Sequence, residues 1–388
     1  MKKVISVVLS VTAALVLSLS VCAVAEEKDG GTLKIGSAND ISGDGALGNA
    51  YCVDAVKLLQ DEINEQNGIV IGDTRYQIEF VFADSESKQE GAVSAIQKLV
   101  NQENCIAVMG PAASKNCLAS YPIAQQAGCP AVAPAATNEA VTQIGDYIFR
   151  ACFIDAYQGY AAASHMNDCG YKKVGVLYSN GDAYSTGLKD AFIDSFENTF
   201  GGEVVATESY SGADVKDFNV QLTMILGAEP EALFFPNNYA ELPLQIQQVR
   251  QLGYEGLILA GDAADNPPTL QTAGLENLHD VRFVSAYAAD STEPRSKAFT
   301  DAYVEKYGRE PIADAVLYYE AGTVIIEALK KCTDSLDRAT LRDKIAETSD
   351  LEVPTGIMTM GEDRNPSKTA VIMTYDTDGE RHFYAAVQ

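Results

Sequence analysis

The chain has 388 residues, with 28 Lys and Arg against 54 Asp and Glu, a formal net charge of -26. That balance excludes nucleic acid as a partner, because a polyanion is held by clustered Lys and Arg. The acids are spread along the chain and read as a solvated surface, while 47% hydrophobic residues over this length supply cores for two domains.

The chain opens with Lys2 and Lys3, an apolar run over 4–19, and Ala23-Val24-Ala25. This is the pattern of a secretory signal peptide over 1–25, and it predicts export across the cytoplasmic membrane to the periplasm or cell surface. An alternative uses Leu19-Ser20-Val21-Cys22 as a lipid-anchor signal on Cys22, against which Val21 stands where a small residue is expected. No second apolar run is long enough to span a bilayer. Beyond residue 25, 26 basic residues face 54 acidic ones, a formal charge of -28. Seven cysteines remain, Cys52, Cys105, Cys117, Cys129, Cys152, Cys169 and Cys332. An odd number cannot pair completely. Cys105 and Cys129 each precede an expected strand and could bridge if those strands are neighbours, whereas most of the others read as buried thiols.

From Thr32 onward strands and helices alternate, which predicts a parallel α/β architecture. A strand over 33–37 leads through the loop 39–45 to a helix whose apolar face carries Val53, Val56, Leu59 and Ile63 and which Gly68 closes. Strands over 69–71 and 76–82 flank the turn Gly72-Asp73, and a helix over 88–101 follows. The most informative stretch runs over 105–139. Two short apolar runs, 106–109 and 131–133, each stop at a Pro-containing turn that ends in a hydroxyl, Ser114 and Thr137. This predicts strand, turn and helix twice over. Neighbouring parallel strands in a right-handed crossover end on one sheet edge, so both hydroxyls are expected there beside helix N-termini with free N–H groups. Such a place suits a small carboxylate. The alternative is that both hydroxyls only cap their helices. Pro122 is expected to kink or restart the helix between them, and the run 147–153 closes the unit.

A second unit repeats the plan, with strands over 173–178, 203–207, 232–235 and 257–260 separated by helices over 186–199, 217–226 and 241–252. Helices over 294–307, 314–331 and 338–348 precede extended segments over 356–359, 370–374 and 382–387. Strands after late helices predict that the chain returns to each lobe in turn. Lobe 1 is then 32–151 with 286–352, and lobe 2 is 152–285 with 353–388, with hinges near 152, 285 and 353.

Little in the chain points to catalysis. His165, His279 and His382 are the only histidines, and none has the spacing of a metal ligand. No GxSxG, phosphate-binding loop or dinucleotide fingerprint occurs, and Asp376-Thr377-Asp378-Gly379 reads as a hairpin turn and not a calcium loop. The strand over 257–260 delivers Gly261-Asp262 to a sheet edge. A carboxylate there suits a ligand ammonium, and with Ser114 and Thr137 across a cleft it specifies a zwitterion. The alternative for Asp262 is a surface loop.

Leu33-Lys34-Ile35-Gly36, Ile41-Ser42-Gly43, Gly110-Pro111-Ala112-Ala113-Ser114, Ala133-Pro134-Ala135-Ala136-Thr137-Asn138 and Gly261-Asp262 occur in this order over almost the whole sequence beyond residue 25. Here the chain resembles the leucine/isoleucine/valine-binding family of extracytoplasmic solute receptors that serve ABC importers. The resemblance implies a type I periplasmic binding fold: α/β, two Rossmann-like lobes with parallel sheets flanked by helices, joined by three hinge crossovers and closing over a ligand. It implies no enzymatic activity, no cofactor and no metal. Ser114, the backbone of Ala135 and Thr137 match positions that hold an amino acid's α-carboxylate and α-amine, Asp262 matches the acid for the ammonium, and Tyr184 matches an aromatic cover from the second lobe. Tyr239 is a similar match, with Asn238 as the neighbouring register. Two positions depart from the family's aromatics, Leu47 in the first loop and Asp314 at the start of the helix over 314–331. An acid on a pocket wall disfavours an aliphatic ligand side chain, unless Asp314 points to solvent. The expectation is a monomeric receptor that takes a small amino acid, aliphatic by the resemblance, to an ABC-type membrane permease. Its rivals are the same role for an amide, urea or aromatic acid, a secreted hydrolase, and a ligand-sensing ectodomain.

Overall fold

The computed structural model describes residues 27–212, 215–376 and 378–387, and the side chains of all of these except 268 and 269. The leader expected over 1–25, with Cys22, lies outside the described residues. The first half of the chain runs β1 (Lys28–Asn39), α1 (Ala46–Glu65), β2 (Ile69–Ile71), β3 (Thr74–Asp84), α2 (Gln89–Gln97), β4 (Ala107–Met109), α3 (Ser114–Gln126), β5 (Ala131–Ala133) and β6 (Ile148–Arg150). There follow α4 (Asp155–Asp168), β7 (Lys173–Ser179), α5 (Ala183–Asp194), β8 (Glu203–Tyr210), α6 (Asn219–Gly227), β9 (Ala232–Phe235), α7 (Leu242–Gln251), β10 (Ile258–Ala260), α8 (Pro267–Leu270) and β11 (Val281–Ser285). The last part adds α9 (Pro294–Tyr307), α10 (Ala313–Lys330), α11 (Arg338–Ala346), β12 (Leu351–Val353), β13 (Gly356–Met358), β14 (Val371–Tyr375) and β15 (Arg381–Ala386).

Two sheets result. The first has the order β2-β3-β1-β4-β5-β6 and the second β15-β14-β11-β10-β9-β7-β8. Within each, five strands are parallel and share one plan: the second parallel strand flanks the first, and the third, fourth and fifth follow on its other side. Strand order therefore reverses direction beside β1 in one sheet and beside β7 in the other. Loops leaving the carboxyl ends of the strands part at such a point and leave a crevice. Antiparallel strands finish the sheets, β2 in the first and β14 and β15 in the second. The central strands are buried on both faces, which is why β4, β5, β9 and β10 read as unbroken apolar runs.

The chain crosses between the two lobes three times, between β6 and α4, between β11 and α9, and between β13 and β14. The late helices α10 and α11 pack with the first sheet, where Tyr318, Ala321, Ile325 and Leu341 share a core with Ile35 and Phe80. Val353, Met358 and Met360 belong to that same core, so the third passage comes later than the expected hinge near 353.

Three expectations need correction. After Thr137 the chain forms a short 3-10 helix, Glu139–Ile144, capped by the Asn138 side chain, in place of a full helix. No room remains for more before β6. All seven cysteines are free; Cys129 Sγ faces the carbonyl oxygen of Cys105 at 3.7 Å and not its sulfur. The helix α3 continues through Pro122, whose ring nitrogen removes the donor that the Leu118 carbonyl would otherwise have. The helix α4 has no counterpart in the sequence reading, because its inward face is built from small residues, Gly159, Ala161, Ala162 and Ala163, and carries no apolar periodicity.

Candidate functional site

The crevice between the sheets closes around a cavity of about 40 Å³ lined by Ala112, Ala113, Ser114, Ala135, Tyr184, Asn238, Tyr239, Asp262, Ala263 and Asp314. Each comes from a loop at a strand's carboxyl end or from a helix start beside it. Ser114 follows β4 and Ala135 follows β5. Tyr184 follows β7, Asn238 and Tyr239 follow β9, Asp262 follows β10, and Asp314 stands in the first turn of α10.

Ser114 begins α3, and the N-cap residue is Ala113, with no side-chain cap bond. Its hydroxyl accepts instead from the Asn138 N–H at 3.3 Å, which ties together the two turns that the sequence placed on one edge. Neither hydroxyl is therefore spent on capping. Thr137 is completely buried, and its Oγ1 has no hydrogen-bond partner among the described residues. It stands behind Ala135 and outside the cavity wall. Gly110 makes the approach of the β4 loop to β1 feasible. Its φ is +69°, and a Cβ there would sit 2.1 Å from the Ala38 carbonyl oxygen.

Arg150, at the end of β6, is fully buried beneath the second turn and donates to the carbonyls of Ala136 and Asn138, both at 2.7 Å. A peptide's N–H points opposite to its C=O, so these bonds turn the Thr137 and Glu139 amides away from Arg150. The signal in the sequence is a lone charge inside the apolar run over 147–153, which periodicity alone does not single out.

On the facing wall, the Tyr184 hydroxyl donates to Asp262 Oδ1 at 2.8 Å. Tyr184 stays in place because Asp182 caps α5, accepting from the Ser185 N–H at 3.2 Å. Burial raises the Asp262 pKa above the usual carboxylate value, and burial also raises that of Asp40, behind Tyr239. Asp314 is pushed up to about 8, chiefly by burial and then by the negative charges of Asp262, Asp265 and Asp40. The cavity wall thus carries two carboxylates and neither Lys nor Arg.

Contacts between the lobes hold the crevice shut. The Asn138 amide donates to the Ala183 carbonyl at 2.9 Å, Tyr239 OH donates to Asp40 Oδ2 at 3.3 Å, and Lys115 pairs with Asp182 at 3.3 Å. Asp265 Oδ2 accepts the Ala313 N–H at 2.7 Å, closing the N-terminus of α10, while its other oxygen pairs with the buried Arg381.

Of the expected site residues, the structure brings Ser114, Ala135, Tyr184, Tyr239 and Asp262 to one cavity, together with Asn238 and Asp314. Asp314 lines the cavity and is half-buried. Thr137 and Leu47 are the exceptions: Thr137 is fully buried outside the wall, and Leu47 is 62% exposed and absent from it. On α1 the buried face is Gly48, Asn49 and Cys52, and helical periodicity turns Leu47 outward from it.

The comparisons with known proteins follow the same outline. The model of the periplasmic binding protein family matches residues 32–380. An amino acid binding protein of Pseudomonas aeruginosa is 30% identical over 270 residues, 69% of this chain and 68% of that protein. A leucine binding protein from Thermotoga maritima has a crystal structure that superposes with a TM-score of 0.84 at 30% identity, covering 92% of this chain and 99% of that one. A branched-chain amino acid transporter substrate binding protein from Streptococcus pneumoniae, solved with isoleucine, superposes at 0.83 and 31% identity over 91% and 99%. Family match, strand order and interlobe cavity agree, and the chain belongs to the periplasmic binding protein family, in the group of the leucine/isoleucine/valine-binding proteins of ABC transporters.

Proposed function

We propose that this chain is an extracytoplasmic receptor that binds a small amino acid between its lobes and delivers it to an ABC-type permease. The observation that carries the reading is the pairing of unlike walls around one cavity. Ser114 and the start of α3 offer a hydroxyl and helix N–H groups to a carboxylate, and Asp262, oriented by Tyr184, offers a carboxylate to an ammonium. The absence of Lys and Arg from the wall argues against an acid that lacks an amine. Such an anion would meet Asp262 and Asp314 with nothing to offset their charge.

Thr137 supports the carboxylate end from behind, and Tyr239 shields the ligand when the lobes meet. The two lobes, expected as 32–151 with 286–352 and 152–285 with 353–388 and with the third hinge moved past Met360, act as rigid halves. The leader-like start supports export, and no helix among the described residues is long and apolar enough to cross a membrane. The receptor acts as a monomer, without catalysis. The names of the similar proteins favour an aliphatic side chain, and Ala112, Ala113, Ala135 and Ala263 give the cavity an apolar part.

A thermal-shift screen of the purified protein against the amino acids, benzoate, urea and short amides tests the reading, because a ligand bound only by the folded state raises Tm by mass action. A rise with at least one L-amino acid is expected. A rise with benzoate or an amide alone overturns the assignment.

A further inference from the structure

The apolar part of the cavity is interrupted at one place. Asp314 projects from the first turn of α10 into the same enclosed space as Ser114, Tyr184 and Asp262. The other acids around it have partners. Asp262 accepts from Tyr184, Asp40 accepts from Ser85 and Tyr239, and Asp265 is held by Arg381 and the Ala313 N–H. Asp314 has no hydrogen-bond or ion-pair partner among the described residues, and only like charges surround it. A half-buried carboxylate that lines a cleft and has no donor of its own bears part of the cost of leaving water, and such groups are commonly completed by a ligand.

Resting on the amino-acid reading above, we propose that Asp314 selects the ligand's side chain, so that the natural ligand is a small amino acid whose side chain ends in a hydrogen-bond donor, a hydroxyl, amide or short-chain amine. Three groups of the ligand then meet three parts of the cavity. The α-carboxylate faces Ser114 and α3, the α-ammonium faces Asp262, and the side-chain donor faces Asp314. The alanines accommodate the carbon stem between them. A leucine or valine side chain would leave the Asp314 carboxyl enclosed and unpaired, and a site built to bond a polar group discriminates strongly against an analogue that lacks it.

Calorimetry on the purified protein decides the point, with L-threonine, L-glutamine and L-ornithine as donor-bearing probes and L-valine and L-leucine as apolar ones. The expected result is that at least one donor-bearing probe binds ten-fold or more tightly than either apolar one, and that Asp314→Leu reverses the order. Asp314→Asn, nearly isosteric, keeps the fold as judged by circular dichroism and weakens the donor-bearing probe about ten-fold while sparing L-valine. If L-leucine or L-valine binds tightest to the wild type, or if both variants leave the ratio unchanged, Asp314 is not the selector, although the receptor reading survives. If no L-amino acid binds the wild type, the receptor reading itself fails, and this inference with it.

Discussion

Tyr184 and Asp262, 78 positions apart in sequence, meet through a 2.8 Å hydrogen bond from the tyrosine hydroxyl to Oδ1 of the acid. The bond orients the carboxylate that, in the proposed amino-acid complex, meets the ligand's ammonium. Removing only the hydroxyl, in Tyr184→Phe, takes away a bond that orients Asp262 without touching its charge, and is expected to weaken amino-acid binding about 2- to 12-fold, less than loss of the charge itself. Asp262→Asn removes a charged partner and should cost about 10- to 150-fold. Calorimetric titration with the tightest amino acid checks both, and an unchanged affinity in Asp262→Asn removes it from the site.

Arg150 holds the turn that carries Thr137 and Asn138. Arg150→Met leaves the carbonyls of Ala136 and Asn138 buried without their donors, and a loss of roughly 2–5 kcal/mol in unfolding free energy is expected. Arg150→Lys restores one bond at most and should fall between. Urea denaturation of the three proteins reads the order directly.

Closure of the lobes brings Asn266 against α1 at Gly48, where an added Cβ would stand 2.3 Å from the Asn266 amide nitrogen. Inside a helix, replacing Gly by Ala stabilises by about 1 kcal/mol. Gly48→Ala should therefore keep or raise Tm while weakening ligand binding and reducing the ligand-induced fall in radius of gyration seen by X-ray scattering. A variant that binds as tightly as the wild type would show that closure does not press on this contact.

Asp314 makes binding depend on pH. The groups that face it are Asp40 and Cys52 from the β1–α1 side, Tyr239 after β9, and Asp262 and Asp265 after β10, all acidic, so none favours its ionised form. With its pKa pushed up to about 8, Asp314 is mostly protonated at neutral pH. A side-chain donor binds the ionised form better, so association releases a proton, and affinity should rise as pH goes from 6 to 8, by at most about ten-fold per unit. Asp314→Asn should flatten the profile. The same shift acts on stability with a defined sign. The folded state binds this proton more tightly than the unfolded chain, so the group's contribution falls as pH rises from about 4 through 8. Asp314→Asn should accordingly raise Tm by a few degrees at pH 8 and change it little at pH 4.

Most strands and helices were legible because their periods differ: unbroken apolar runs gave β4, β5, β9 and β10, and one-sided apolar spacing gave α1 and α10. The elements that escaped had no such signal. Helix α4 buries alanine and glycine, and the 3-10 turn after Thr137 is set by the short span to β6. Leu47 was drawn to the pocket by its place in the first loop, yet one step along the helix rotates a side chain by about 100°, and that step turned it to solvent.

The sequence by itself determined the α/β alternation and the family, and it named most of the residues that line the cavity, because apolar period, turn residues and motif order are local properties. Only the tertiary structure decided which side chains share the cavity. It placed Arg150 under one wall, turned Leu47 outward and set Asp314 on the cavity wall near other acids. The physical reason is that burial and the field of distant charges depend on how the lobes come together, and no window of the sequence contains both sides of that contact.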